Sequence, residues 1–308
     1  MTEINLTSAA GVRAVMTRFG IANAKKKLGQ HFLIDSFVLS KIIAAAEISP
    51  GDFVLEIGPG IGGMTQALLN RGARVTAVEL DKQLVPVLRE LFSCENFNLI
   101  HDDILRTDLR EIISASEKFF SCENSSNEKI FSCENSSCEK KFSSENVKIV
   151  ANLPYYITTP VIFFLLESGV KFESITVMIQ KEVARRMNAS PGTKDYGALS
   201  LAVQYYADVE LVANVPTNCF MPRPNVDSAV VKLKILPAPR VDAEKNNLFR
   251  IIHAAFGKRR KTLLNALDSD EIEKSALAEI LQKSGIDPQA RGETLDIFQF
   301  ARLAENLK

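Results

Sequence analysis

Phe53-Val54-Leu55-Glu56-Ile57-Gly58-Pro59-Gly60-Ile61-Gly62-Gly63 decides the fold. Its first five residues are apolar apart from Glu56, the pattern of a buried strand. Four glycines follow within six positions, and residues 64–69 begin a helical pattern. Downstream the alternation continues: 74–79 reads as a strand, 84–92 as a helix, and 97–100 as a strand ending at His101-Asp102-Asp103. This order predicts right-handed βαβ units and a mainly parallel sheet.

Upstream, 37–46 has a helical pattern with Val38, Ile42, Ala45 and Ala46 on one side, stopped by the turn Ser49-Pro50-Gly51-Asp52. Residues 1–24 are weakly patterned and are expected to be flexible. Downstream, 117–146 breaks the rhythm. Phe-Ser-Cys-Glu-Asn stands at 92–96, 120–124 and 131–135, with a degraded copy at 142–146. One Phe in every 11 residues amid Ser and Asn is too sparse for a helix face, so 117–146 reads as a looped-out, low-complexity insert. The α/β pattern resumes with a strand at 147–151, a helix at 157–166, a strand at 174–180, and helices at 181–189 and 198–206. Two alternating strands, 209–215 and 230–235, flank a proline-stiffened loop. After Leu236-Pro237-Ala238-Pro239 the pattern is helical, at about 243–256, 259–267, 271–282 and 295–304. The expected organisation is a flexible segment 1–24, an α/β domain 25–238 containing the insert, and a small all-helical C-terminal domain 239–308.

The 308 residues are 46% hydrophobic, and Lys+Arg balance Asp+Glu at 37 each. No apolar run approaches the roughly 18 residues of a membrane helix, and the N-terminus lacks a signal-peptide apolar region. Cys94, Cys122, Cys133, Cys138 and Cys219 offer neither CxxC nor a clean zinc spacing. A cytosolic chain without metal or structural disulfides is expected. Positive charge is local: Arg13, Arg18 and Lys25-Lys26-Lys27 near the N-terminus, and Arg250 with Lys258-Arg259-Arg260-Lys261 near residue 260. Such runs are commonly solvated faces, but two of them flanking a catalytic domain also fit a polyanion.

Gly58-x-Gly60-x-x-Gly63 permits a tight turn and lets a cofactor approach backbone N–H groups. Glu79 ends the next strand, 21 residues after Gly58, where a carboxylate can accept both hydroxyls of a ribose. Asp103 ends the third strand and reads either as a partner for an adenine amine or as a cap. Glu56 reads equally as a cofactor-side carboxylate or as an acceptor for loop N–H groups. Asn152-Leu153-Pro154-Tyr155 closes a buried strand, and alone it reads as well as a turn. As a site, the Asn152 side-chain carbonyl and the Leu153 backbone carbonyl would grip the N–H bonds of an aromatic amine. Pro154 would stiffen the turn, and Tyr155 would stack on the base. Taken singly, His31 reads as a loop histidine, His253 as a helix-packing residue, Phe220 as core and Arg185-Arg186 as solvent-facing.

The ordered motifs Leu28-Gly29-Gln30-His31-Phe32-Leu33, Val54-Leu55-Glu56-Ile57-Gly58-Pro59-Gly60 and Val78-Glu79-Leu80-Asp81 resemble the ribosomal RNA adenine N6,N6-dimethyltransferases. So do Asn152-Leu153-Pro154-Tyr155-Tyr156-Ile157, Phe220-x-Pro222-x-Pro224-x-Val226-x-Ser228, and His253-Ala254-Ala255-Phe256 with Arg259-Arg260-Lys261-Thr262-Leu263. The resemblance covers about 25–306 without the insert. It implies a Rossmann-like, S-adenosylmethionine-dependent methyltransferase with a mostly parallel seven-stranded sheet. It also implies that His31, where the family often has Asn, and Leu33 lie over the cofactor, with Gly58 against its methionine part. Glu79 would bind the ribose, Asp103 the adenine amine, and Asn152 both the methyl's surroundings and the target amine. Tyr155 and Phe220 would stack on the target base. Lys25, Lys26, Lys27, Arg185, Arg186, Arg223, Lys258, Arg259, Arg260 and Lys261 are then expected on rRNA phosphates. The implied reaction is dimethylation of two adjacent adenosines in the 3′-terminal hairpin loop of small-subunit rRNA, within the immature 30S particle late in assembly, by a cytoplasmic monomer. Competing readings are a large-subunit rRNA adenine methyltransferase of macrolide-resistance type, an assembly factor without catalysis, and an NAD oxidoreductase. The last leaves Asn152 to Tyr155 and both basic clusters without a role.

Overall fold

The computed structural model describes residues 4–121, 147–268 and 272–307. Its helices and strands follow in the order α1 (Ala9–Arg18), β1 (Phe32–Leu33), α2 (Ser36–Ala45), β2 (Phe53–Ile57), α3 (Gly63–Asn70), β3 (Arg74–Glu79), α4 (Val85–Leu91), β4 (Phe97–His101) and α5 (Leu109–Ser121). Then come β5 (Val147–Asn152), α6 (Thr158–Glu167), β6 (Phe172–Gln180), α7 (Lys181–Met187), α8 (Ala198–Tyr206), β7 (Ala207–Val215), β8 (Phe220–Met221), β9 (Ser228–Ile235), α9 (Lys245–Gly257), α10 (Leu263–Ala266), α11 (Lys274–Lys283) and α12 (Ile297–Asn306).

Seven strands form one sheet in the order β4-β3-β2-β5-β6-β9-β7. The pairs β3–β4, β2–β3, β2–β5 and β5–β6 are parallel. The order turns outward at β2, with β3 and β4 on one side and β5 and β6 on the other. That switch point opens a crevice at the carboxyl ends of the strands. The strands are apolar because helices cover them: every residue of β2 is buried, Glu56 included, and Leu55, Val75, Ile149 and Val177 are wholly inaccessible. Both β1 and β8 lie outside this sheet and pair antiparallel with each other, Leu33 opposite Phe220.

Two compact units emerge, Met1–Lys181 with Leu211–Leu233, and Glu182–Glu210 with Lys234–Lys308. The helical unit thus recruits 182–210, which the sequence reading places in the α/β domain. Its core explains why: Tyr196, Leu201 and Tyr205 are buried with Leu248, Ile252, Leu281 and Phe300, and the Tyr196 hydroxyl donates to the Leu295 carbonyl at 2.8 Å. Among the described residues no helix is long and apolar enough to cross a membrane.

Two further expectations need correction. The segment read as weakly patterned carries a helix: α1 is capped by Ser8 and buries Val12 and Val15. The rhythm also does not break at 117, because α5 continues to Ser121 and Phe120 packs edge-on against Phe53, ring centres 6.0 Å apart. The sequence reading places no element between 104 and 116, although Leu109, Ile112, Ile113 and Ser116 make a buried helical stripe. The rest of the expected insert, 122–146, lies outside the described residues. Phe92, in the first repeat copy, meets Phe97 at 5.3 Å between ring centres and so belongs to the packed fold.

Candidate active site

The carboxyl ends of β2, β3, β4 and β5 share one rim of the sheet, and Gly58, Glu79, Asp103 and Asn152 stand there in a row. They line one cleft that opens to solvent, together with His31, Leu33, Leu153, Pro154 and Tyr155.

Gly58 turns the chain out of β2 with φ +68°, and a Cβ there would meet nothing within 4 Å, so the space beside its backbone is open cavity. Gly62 is glycine for a different reason: at φ +89° it caps α3, and a Cβ would stand 2.3 Å from the Phe92 ring.

The acids of this rim have distinct tasks. One oxygen of Glu79 accepts from the Gly60 N–H at 3.1 Å and the other from the Asp81 N–H at 2.7 Å. Each oxygen keeps lone-pair capacity, which suits a vicinal diol. Burial pushes the Glu79 pKa up against those two backbone bonds. Glu56 is more deeply enclosed and accepts from the Thr65 hydroxyl at 2.6 Å. Desolvation raises its pKa to about 8, and the nearby Glu79 adds to the rise, so Glu56 is mostly protonated at neutral pH. It lines the cavity, and the group it accepts from is a hydroxyl in the first turn of α3 rather than the loop N–H groups that its position suggests. Asp103 accepts from the Leu105 N–H at 3.1 Å and lies 3.6 Å from Arg106, so it caps its own turn while facing the cavity. Asp81 is buried; desolvation opposes its charge, but Lys25, the Gln83 N–H and Gln30 outweigh it and lower the pKa.

At the end of β5 the Asn152 Nδ2 donates to the His31 carbonyl at 2.9 Å. That bond fixes the amide plane and leaves its oxygen as the acceptor. The Tyr155 hydroxyl meets the Ser228 hydroxyl at 2.7 Å, and the Tyr155 ring stacks on His31 with centres 5.8 Å apart and planes at 25°. His31 Nδ1 lies 2.7 Å from the Pro222 carbonyl oxygen, which can only accept, so Nδ1 carries the proton. The loop between Pro222 and Ser228 is therefore fastened by His31 at one end and by Tyr155 at the other.

Phe220 is not a wall of this cavity. It is 2% exposed and packs with Val215, Cys219 and Val230 in the sheet core, because its strand β8 is pinned to Leu33. The aromatic that the sequence reading leaves without a task is Tyr156, which is 54% exposed and lines the cavity beside Gly29. Its signal is the adjacency of two tyrosines at a strand end. Leu6 and Thr7 also line the cavity, with no signal in their own composition.

The expected phosphate ligands separate into two groups. Lys25 is held by Asp81 at 2.6 Å, and Arg259 bonds the Lys194 and Tyr196 carbonyls at 3.1 Å each and lies 3.5 Å from Glu293. These two brace the fold. Lys27, Arg185, Arg186, Arg223, Lys258, Arg260 and Lys261 are exposed, and Lys26 opens a 3-10 turn, Lys26–Leu28. His253 is exposed too, while its neighbours Ile251 and Ile252 carry the packing of α9. Among the described residues no group of three or more His, Cys, Asp or Glu side chains is placed to hold a metal ion.

Known proteins match this chain almost end to end. The chain is 48% identical over 287 residues to a ribosomal RNA small subunit methyltransferase A from Lachnoclostridium phytofermentans, covering 91% of this chain and 90% of the relative. The protein of the same name from Alkaliphilus metalliredigens is 42% identical over 98% of both chains. Among solved structures, a dimethyladenosine transferase from Plasmodium falciparum superposes with TM-score 0.69 at 25% identity, covering 88% of this chain and 95% of that one. The 23S rRNA methyltransferase ErmE gives TM-score 0.62 at 25% identity over 89% and 98%. The family described as ribosomal RNA adenine dimethylase matches residues 21–306, and this chain belongs to it.

Proposed function

We propose that this enzyme uses S-adenosylmethionine to dimethylate the N6 amines of two adjacent adenosines in the 3′-terminal hairpin loop of small-subunit (16S) rRNA. It acts in the cytoplasm, as a monomer, on the immature 30S particle late in assembly. The observation that carries this reading is the Asn152 amide. Its N–H is anchored to the His31 carbonyl and its oxygen is left to face the cavity end of β5. The family membership and the names of the small-subunit relatives support the substrate.

The donor groups fit the cofactor. Glu79 offers two oxygens to a ribose, Asp103 a carboxylate to an adenine amine, and Gly58 an open backbone to the methionine part. His31 and Leu33, which line the same cleft, would lie over it. When bound, S-adenosylmethionine supplies an electrophilic methyl group on a sulfonium. Adenine N6 is a weak nucleophile because its lone pair is delocalised into the ring. Asn152 Oδ1 and the Leu153 carbonyl accept its two N–H bonds, turn the lone pair toward the methyl and stabilise the positive charge that develops on nitrogen. The cofactor would give up the methyl carbon to N6 and keep the S–C electrons on sulfur, and N6, held by the two carbonyls, would release its proton to water. The second transfer on each base starts from a monomethylated amine, whose one remaining N–H is accepted by one of these two carbonyls. Tyr155 stacks on the unpaired base, its plane set by His31 and Ser228. Lys26, Lys27, Arg185, Arg186, Arg223, Lys258, Arg260 and Lys261 contact rRNA phosphates.

The test is transfer of labelled methyl to undermethylated small subunits, followed by mapping of the modified nucleotides. Dimethylation of two neighbouring adenosines in the 3′ hairpin is expected. Methylation of naked large-subunit rRNA without that of small subunits would overturn the substrate. Ribosome binding without cofactor binding would overturn catalysis.

A further inference from the structure

The family match begins at residue 21, yet the chain before it is built into the wall of the active-site cavity. Asn5 folds this arm back on itself. Its Oδ1 accepts from the Thr7 N–H at 3.0 Å and the Thr7 hydroxyl at 2.8 Å, while the Ser8 hydroxyl donates to the Asn5 carbonyl and caps Gly11 N–H, both at 3.0 Å. A Cβ on Gly11 would stand 1.9 Å from the Asn5 carbonyl oxygen, so the fold-back needs glycine there. The turn delivers Leu6 and Thr7 to the cavity beside the first residue of α3. Leu6 is 2% exposed, and its carbonyl oxygen would be 3.3 Å from a Cβ on Gly63. Helix α1 anchors the turn on both sides. Val12 is buried with Phe32, Ile61 and Leu84, Val15 with Val87, and Arg18 pairs with Glu90.

We propose that Leu6 and Thr7 belong to the cofactor site, closing it beside the glycine loop, and that α1 is the anchor that keeps them there. The inference rests on the assignment of S-adenosylmethionine to this cavity. Its physical content is that apolar closure over one side of a cleft slows escape of the ligand beneath it. An arm docked by three buried side chains and one exposed ion pair opens at lower free energy than the sheet it covers. Cofactor and arm then stabilise each other, because a ligand that contacts only the docked state favours that state.

Two variants test this in the full chain: removal of residues 1–19, and Gly11→Val, which leaves Val12 and Val15 in place but forbids the fold-back. Cofactor affinity is read by titration calorimetry, and its dissociation by displacement of labelled S-adenosylmethionine. Both variants are expected to lose the cofactor about tenfold faster than the parent. Amide exchange of residues 4–19 in the parent is expected to slow about tenfold when cofactor is added, a change that a purely structural arm would not give. Parent-like dissociation in both variants, or exchange in the arm that ignores the cofactor, overturns the role of the arm while leaving the cofactor assignment intact. Failure of the parent itself to bind S-adenosylmethionine overturns both.

Discussion

Replacement of Asn152 separates a catalytic amide from an ordinary turn residue. The side chain is only half-buried, so truncation to alanine leaves no large cavity, and its N–H bond to the His31 carbonyl lies at the cavity edge. The loss should therefore fall on the reaction. Removing one preorganised hydrogen-bonding group from a site of developing charge raises a barrier by about 2.7–4 kcal/mol. At about 1.36 kcal/mol per tenfold, this is a 10²–10³-fold fall in the single-turnover rate. Asn152→Asp sharpens the test. It retains an acceptor, but one carboxylate oxygen replaces the Nδ2 that now sits 2.9 Å from the His31 carbonyl, and two acceptors repel. The aspartate variant is expected to lose as much rate as the alanine one, with small-subunit affinity held within twofold. The assay is rapid-quench methyl transfer to undermethylated small subunits, with binding measured separately by filter retention. A turnover within threefold of the parent for Asn152→Ala would refute the two-acceptor grip.

Glu56 gives a pH signature. Its pKa rises from 4.5 unfolded to about 8 folded, so its favourable contribution is complete below pH 4.5 and disappears as pH rises through about 8. Denaturant midpoints across that window should fall less steeply with pH in Glu56→Gln than in the parent; parallel profiles would show that the acid does not titrate there. Phe220→Ala should destabilise the protein by about 3–5 kcal/mol, the cost of emptying an aromatic core site, and calorimetry reads it directly. A parent-like melting temperature would return Phe220 to the cavity. At the opposite end of β5, the Lys148 ammonium is 5% exposed and reaches Asp52 at 2.8 Å and the Glu47 carbonyl at 2.7 Å. Lys148→Ala should cost about 1.5–3 kcal/mol in urea unfolding, because it removes a buried ammonium and its charged hydrogen bonds, whereas methyl transfer by the remaining folded enzyme is set at the other end of the strand.

The βαβ order and the row of Gly58, Glu79, Asp103 and Asn152 are legible in the sequence for one reason. Parallel strands bring all their carboxyl ends to one rim, so residues that close successive apolar runs must meet there whatever the loops do. Periodicity supplies the runs, and topology supplies the meeting. Helix α5 carries the same kind of signal in Asp108 and the Leu109-Ile112-Ile113-Ser116 stripe, and the repeat that begins at Phe120 masks its end. Arm 4–19 is harder to see, since only Val12 and Val15 of α1 are buried and, Met16 apart, the rest of the helix is polar or small.

Phe220 marks where that logic stops. An aromatic before Pro-x-Pro has no period to read, so its side of the backbone is set by its partner, and that partner is Leu33, in a strand of two residues far away in the chain. The same pairing brings Pro222 under His31 and Ser228 under Tyr155. Strand β8 thus turns Phe220 into the core and, a few residues later, supplies the two bonds that hold Tyr155 and His31 together. In the proposed site the loop's part is to set the plane of Tyr155 rather than to stack on the base itself. A double substitution of His31 and Ser228 should then slow methyl transfer more than Phe220→Ala does per kcal/mol of stability lost. If Phe220→Ala were instead the slower enzyme at equal folded fraction, the ring would have to swing into the cavity during turnover.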